Sequence, residues 1–174
     1  MKIGIIGTGN MGGALMDAFC LGNQSTRAYN PGREKLEAVC ARTGAEAVDS
    51  PEKAVEGADL VLLAVKPIVM PSVLEQIAPV IREDQIIVSI AVGLTIESYV
   101  QALGEDRIIV RAMPNTPAAV QAGMTAFSFG AQVTEAEQKL VLDLFALAGG
   151  TAVLPERLMR LLAQRFLLRA VRAP

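Results

Sequence analysis

The feature that most constrains the fold of this chain is a glycine pattern within its first thirteen residues. Ile3, Ile5 and Ile6 form a short apolar run, and Gly-x-Gly-x-x-Gly follows it directly. A strand that runs straight into this pattern and then into a helix is the βα turn of dinucleotide-binding sheets, whereas a purely structural glycine turn needs no such context. The helix N-terminus offers unpaired N–H groups to phosphates. The candidate phosphate-binding residues are Gly7, Thr8, Gly9, Asn10, Met11 and Gly12.

The end of the second predicted strand bears on cofactor preference. That strand, Ser25–Asn30, leads into Asn30-Pro-Gly-Arg33 and carries no acidic side chain at its end. A site that prefers NAD usually places Asp or Glu there to hold the ribose 2′-hydroxyl. Arginine suits a 2′-phosphate, because its guanidinium presents a planar fork of donors. We therefore predict that Asn30 and Arg33 favour NADP(H), with NAD(H) also accepted. A solvated Arg33 in the first helical turn is the alternative.

The rest of the chain alternates between strands and helices. Val120–Phe129 reads as a further strand, antiparallel at the edge, and Thr134–Ala148 as a helix with Leu140, Leu144 and Leu147 on its inward face. The alternation predicts an α/β fold, a doubly wound Rossmann-type and mostly parallel sheet with helices on both faces. The buried strands are predicted at Asp59–Val65, Gln85–Ile90 and Arg107–Met113.

Three of these predicted strands end in segments suited to a ligand site, because open α/β sheets bind ligands outside the carboxyl ends of their strands. A lone lysine follows the first, small residues follow the second, and a rigid loop with an amide and a hydroxyl between prolines follows the third. By position alone, a salt-bridged surface lysine remains an equal alternative for Lys66. The candidate residues are Ala64, Val65, Lys66, Pro67, Ala91, Val92, Pro114, Asn115 and Thr116.

Composition excludes several classes of function. The sequence contains no histidine, which excludes imidazole catalysis and His-ligated metals, and we predict no metal site. Aromatic residues make up 4% with no tryptophan, which argues against base-stacking nucleic-acid platforms. Apolar runs are too short to span a membrane, so we expect a cytoplasmic protein without nucleic-acid or membrane partners. Cys20 and Cys40 lack metal or redox spacing and are predicted to be buried thiols on helices.

The chain resembles the pyrroline-5-carboxylate reductase family. The resemblance is carried in order by Ile5-Ile-Gly-Thr-Gly-Asn-Met-Gly12, Ala64-Val-Lys-Pro67, Ser89-Ile-Ala-Val-Gly93 and Arg111-Ala-Met-Pro-Asn-Thr-Pro-Ala118. It implies NAD(P)H-dependent reduction of 1-pyrroline-5-carboxylate to L-proline, a step of proline biosynthesis. It also implies that Ala64–Pro67 lies beside the nicotinamide ribose and Ala91-Val92 near the nicotinamide.

The resemblance ends near Met159. Family members continue into a Ser-Gly-Ser-x-Pro-Ala-Tyr motif that opens a helical domain, which supplies the homo-oligomer interface, much of the substrate pocket and the hydroxyl thought to donate a proton. This chain has 157–174 instead, with five arginines and no acid. We therefore predict a cofactor-binding domain at 1–155 and a short basic tail at 156–174, and we assign no catalytic residue.

Three interpretations of function remain open at this point. The chain is a reductase by descent that has little activity alone, a non-catalytic cofactor-binding fragment, or a related β-hydroxyacid dehydrogenase. The last does not explain Met113-Pro-Asn-Thr-Pro117. The tail has two interpretations, a segment read in a shifted frame or a genuine basic helix.

Overall fold

The computed structural model describes residues 1–115 and 123–162, which form a sheet covered by helices on both faces. Thr116 and residues 163–174 of the predicted tail lie outside this range. The strands are β1 (Lys2–Ile6), β2 (Ser25–Tyr29), β3 (Glu46–Ala47), β4 (Leu60–Leu63), β5 (Ile86–Ser89), β6 (Ile108–Pro114), β7 (Gly123–Phe129) and β8 (Gly149–Val153). The helices are α1 (Asn10–Leu21), α2 (Arg33–Thr43), α3 (Pro51–Val55), α4 (Met70–Ile77), α5 (Ile96–Leu103) and α6 (Glu135–Phe145).

The sheet has the strand order β3-β2-β1-β4-β5-β6-β7-β8. Every described pairing is parallel except that of β6 with β7, which is antiparallel as the sequence predicts. The prediction that this antiparallel strand lies at the edge is wrong, because β8 pairs with its other side. The chain moves outward in one direction from β1 to β3 and then returns beside β1 to start β4, so the strand order reverses between β1 and β4. The predicted doubly wound Rossmann-type fold is confirmed.

Two apolar layers hold the sheet between its helices. One packs α1, α2 and α6 against side chains such as Ile5 and Leu62, and the other packs α3, α4 and α5 against side chains such as Ile6 and Leu63. β4 and β5 are buried at every position, which explains why their sequences are almost continuously apolar. Each fully buried large aliphatic side chain contributes roughly 1.5–3 kcal/mol relative to an exposed one.

Local capping fixes where several helices begin. The Ser50 side chain accepts a hydrogen bond from the Lys53 amide at the start of α3. Capping boxes join Thr95 to Ser98 and Thr134 to Glu137 at the starts of α5 and α6. These contacts satisfy N–H groups that lack a partner within the helix.

The first helix begins within the glycine pattern, at Asn10, because Gly9 has the extended backbone of an N-cap. One local prediction is wrong. Leu140 does not face inward but is 41% exposed. Val141 and Phe145 fill that side of α6, because the Phe145 ring packs edge-on against Phe19 and Phe127.

The segment after β8 continues onto the sheet. Residues 156–162 are helical, and Met159 is fully buried against Met113 and Ala126. The predicted boundary at residue 155 stays a prediction. In the ranges 1–115 and 123–162 no helix is long and apolar enough to cross a membrane. No cluster of metal-ligating side chains occurs in those ranges either.

Candidate functional site

The predicted site residues converge at the carboxyl edge of the parallel strands. Strand register places Ile6 beside both Tyr29 and Leu63, and Leu63 beside Ser89. The segments that follow these four positions therefore emerge side by side, at the point where the strand order reverses. Open α/β sheets bind their ligands in this crevice.

Gly7 makes the turn that closes β1. It has a φ of +104°, which side chains rarely adopt, and its N–H donates to the Tyr29 carbonyl at 2.8 Å. A Cβ at this position would lie 2.6 Å from the Ala64 carbonyl oxygen. Gly7 therefore allows the loop after β1 to lie directly against the end of β4.

Gly12 brings α1 close to the same turn. A Cβ on Gly12 would lie 2.1 Å from the Gly7 carbonyl oxygen and 2.9 Å from the Ala64 Cβ. Gly9 differs, because a Cβ there would meet no atom of the described residues within 4 Å, its two chain neighbours aside. The backbone at Gly9 thus faces open space at the N-terminus of α1, where N–H groups and the helix dipole favour a bound anion. The first turn of α1 carries no acidic side chain to compete.

Thr8 supplies a second sign that this loop fits a phosphate-bearing ligand. The residue is only 3% exposed, and its hydroxyl has no hydrogen-bond partner among the described residues. A buried hydroxyl without a partner costs about 1–3 kcal/mol, which a ligand oxygen in reach would recover. Its backbone N–H donates to Asn30 Oδ1 at 3.2 Å. The glycine loop is therefore joined to the end of β2.

Asn30 and Arg33 occupy the positions predicted to set cofactor preference. Asn30 Nδ2 donates to the Gly32 carbonyl at 3.2 Å, so this side chain holds the loop shape as well as the Thr8 amide. Arg33 is the first residue of α2, and its Nε lies 2.7 Å from Glu37 Oε1. The hydrogen bond to Glu37 raises the pKa of Arg33. Both partners of this pair are well exposed, so it is weak and can yield to a phosphate.

The segments after β4 and β5 line the other side of the crevice. Ala64 and Val65 are half-buried, whereas Lys66 and Pro67 are exposed. Lys66 forms no ion pair within 1–115 and 123–162. After β5, Ala91 is buried and Val92 is 45% exposed.

The loop after β6 is described only in part. Pro114 ends β6, and Asn115 Oδ1 accepts a hydrogen bond from the Met124 amide at 2.9 Å. Asn115 therefore joins the ends of β6 and β7. Thr116 lies outside the described residues.

A buried polar network behind Ala91 was missed by the sequence reasoning. The Ala91 amide donates to Ser89 Oγ at 3.2 Å, and Ser89 Oγ lies 2.5 Å from the Tyr99 hydroxyl. Burial raises the pKa of Tyr99, with the Ser89 bond opposing it, so the phenol stays neutral. On the next strand, buried Arg111 pairs with Glu156 at 2.8 Å. The sequence did contain a sign of this pair, because a charged residue within the apolar Ile-Ile-Val-Arg-Ala-Met run indicates a buried charge that needs a partner.

Comparisons with known proteins agree with this geometry. Residues 2–93 match the family described as NADP oxidoreductase, coenzyme F420-dependent. Pyrroline-5-carboxylate reductase of Escherichia coli K12 is 40% identical over 159 residues, which cover 89% of this chain and 59% of that protein. The Pseudomonas aeruginosa reductase is 36% identical over 151 residues, with 85% and 55% covered.

A solved structure gives the same relationship in three dimensions. The Plasmodium falciparum pyrroline carboxylate reductase with NADP bound superposes with a TM-score of 0.86 at 27% identity, over 98% of this chain and 64% of that one. The chain therefore spans about three-fifths of the length of the relatives it matches. The resemblance to pyrroline-5-carboxylate reductases is confirmed.

Proposed function

We propose that this chain, which belongs to the family described as NADP oxidoreductase, coenzyme F420-dependent, binds NADP(H) across the carboxyl edge of its sheet. The observation that carries the proposal is the open space beside Gly9 at the start of α1, together with the buried hydroxyl of the adjacent Thr8, which has no hydrogen-bond partner in the part of the chain that the structure describes. The pyrophosphate would lie there. Arg33 would turn from Glu37 to the 2′-phosphate, and residues 30–32, which follow β2 directly, carry no acidic side chain to oppose it.

The proposed reaction is the reduction of 1-pyrroline-5-carboxylate to L-proline, a step of proline biosynthesis. The relatives named pyrroline-5-carboxylate reductase support this proposal. NADPH supplies the hydride when it is bound. The residues of this chain bind and orient it: the glycine loop holds the phosphates, and Ala64–Pro67 and Ala91-Val92 flank the nicotinamide half. Pro114, Asn115 and Thr116 are proposed to face the substrate. The chain would act in the cytoplasm, where unpaired thiols such as Cys20 and Cys40 persist.

The 174 residues by themselves are proposed to bind cofactor but to turn over slowly. Rapid hydride transfer needs the imine held against the nicotinamide and shielded from water. The Ser-Gly-Ser-x-Pro-Ala-Tyr motif, to which the family resemblance attributes the proton donor, does not occur in the sequence.

Calorimetric titration of the purified chain with NADPH and with NADH tests the binding proposal, and oxidation of NADPH in the presence of the substrate tests the reaction. We expect binding with NADPH favoured and a rate well below the ordinary enzyme range of about 1–1,000 per second. Gly9→Ala is the variant expected to lose binding, because it fills the proposed pyrophosphate space without a clash with the described residues. Failure of the wild-type chain to bind either cofactor would overturn the binding proposal. A rate within the ordinary range would overturn the expectation of slow turnover.

A further inference from the structure

A row of buried polar side chains crosses three strands beneath the nicotinamide side of the crevice. Arg111 on β6 is in register with Ser89 on β5 and with Ser128 on β7, so the three side chains share one face of the sheet. All three residues are buried, beside a layer that is mostly apolar. Buried polar groups require partners, so this row depends on what packs against it.

The segment after β8 supplies two of these partners. Ser128 Oγ donates to the Leu154 carbonyl at 2.6 Å, and Arg111 Nη1 donates to Glu156 Oε1 at 2.8 Å. Glu156 Oε1 also accepts the Ile96 amide at 2.8 Å, and Ile96 is the first residue of α5. One carboxylate thus neutralises the buried guanidinium and holds the N-terminus of a helix 60 residues away.

That helix leads back to the crevice. Tyr99 lies one turn after Ile96, and its hydroxyl contacts Ser89 Oγ, which accepts the Ala91 amide. The contacts therefore run without a gap from Glu156 through the first turn of α5 and the Tyr99–Ser89 pair to Ala91. Of these residues, only Ala91 lies at the proposed cofactor surface.

We propose that Glu156 is a positioning residue for the nicotinamide half of the cofactor. It fixes α5, and through Tyr99 and Ser89 it sets the backbone at Ala91 and Val92. The inference rests on the proposed function, since it requires a dinucleotide in this crevice. It predicts that loss of the Glu156 carboxylate weakens contacts to the nicotinamide half and leaves the adenosine half, held by Gly9 and Arg33, unchanged.

Comparing the binding affinities of two ligands distinguishes contacts to the nicotinamide half from contacts to the adenosine half. NADPH and adenosine 2′,5′-bisphosphate share the adenosine and the 2′-phosphate, but only NADPH carries a nicotinamide. Both are titrated calorimetrically into the wild-type chain and into Glu156→Ala, Glu156→Gln and Tyr99→Phe. Glu97→Gln is the matched control, because the Glu97 carboxylate bonds only to the neighbouring Gln101 among the described residues.

We expect Glu156→Ala to weaken NADPH binding roughly two- to thirtyfold, the range of measured couplings through a protein, with unchanged binding of the bisphosphate. The NADPH affinity of Glu156→Gln should lie between those of the wild-type chain and Glu156→Ala, because glutamine keeps an acceptor. Tyr99→Phe should also weaken NADPH binding and leave binding of the bisphosphate unchanged. Unchanged bisphosphate binding also shows that a variant is folded. Tyr99→Phe leaves the Arg111–Glu156 pair intact, and so serves if Glu156→Ala does not fold.

Each other outcome contradicts the inference in a distinct way. If the wild-type chain binds neither ligand, the proposed function fails and this inference fails with it. If the wild-type chain binds both, but Tyr99→Phe and Glu156→Ala weaken the two equally or not at all, then Glu156 is a structural cap only. The proposed function would survive that second result.

Discussion

Two adjacent glycines in α1 should respond to alanine in opposite directions. An added Cβ at Gly12 would lie 2.1 Å from the Gly7 carbonyl oxygen and 2.9 Å from the Ala64 Cβ. At Gly13 the nearest atoms, Thr8 O and Val39 Cγ2, are 3.7 and 3.8 Å away, which is ordinary contact. Both positions lie in one helix and are buried, so the contact is the main difference between the substitutions.

The magnitudes follow from two competing effects. Alanine in place of glycine within a helix gains about 0.8–1 kcal/mol. Overpacking costs about 1–3 kcal/mol, and Gly12 lies at the upper end because the clashing atom belongs to the backbone and cannot rotate away. We expect Gly13→Ala to raise the free energy of unfolding by about 0.5–1 kcal/mol and Gly12→Ala to lower it by about 2 kcal/mol. For a domain of this size, the difference corresponds to roughly 5–12 °C in Tm.

Chemical denaturation of both variants, followed by circular dichroism without ligand, measures this difference. The denaturant slope should match that of the wild-type chain if only the folded state is affected. Equal stability of the two variants, within about 0.5 kcal/mol, would refute the reasoning, because α1 would then tolerate a shift away from Gly7 and Ala64. Gly12→Ala would in that case also leave the phosphate loop intact.

Three further changes test other parts of the molecule. Gly9→Ala should change the free energy of unfolding by no more than about 0.5 kcal/mol while NADPH affinity falls at least tenfold in a calorimetric titration; retained affinity would place the pyrophosphate elsewhere. Arg33→Ala should weaken NADPH roughly ten- to a hundredfold and NADH little, with Lys35→Ala as the control, and equal loss for both cofactors would contradict the 2′-phosphate assignment. Thr134→Ala should lower the free energy of unfolding by about 1 kcal/mol because it removes the capping box of α6; Thr151→Ala, outside any cap, is its comparison in the same denaturation experiment.

Short-range patterns account for the parts of the fold that the sequence predicted. Gly7, Gly9 and Gly12 sit within one βα turn, and the apolar runs of β4 and β5 are complete within four residues each. Such features depend on neighbours in the chain, so they can be recognised without the fold. The convergence of the strand ends followed from the parallel order alone.

Long-range pairs were beyond this reasoning. Arg111 and Glu156 are 45 residues apart, and no pattern in either segment indicates a contact with the other. The inward face of α6 was misread for a related reason. Spacing of leucines suggested Leu140, but the rings of Phe19 and Phe127, from α1 and β7, determine which side of α6 is buried. The helical period of the sequence determines how wide the apolar face of a helix is, but the residues that pack against the helix determine which side of it faces the core.

The strand order also divides the sheet into two halves with one joint. Every neighbouring pair in the described sheet joins strands consecutive along the chain except β1 with β4, where Ile3 pairs with Leu60. Opening at that joint would leave β1–β3 and β4–β8 each locally paired, and partial opening of this kind is what native-state hydrogen exchange detects. The Gly7–Ala64 approach spans the same joint. A dinucleotide bound there would contact both halves and stabilise the closed sheet relative to the opened one. The stabilisation is about 2.7 kcal/mol at a ligand concentration 100 times the Kd. Slower amide exchange along β1 and β4 would then report occupancy of the crevice.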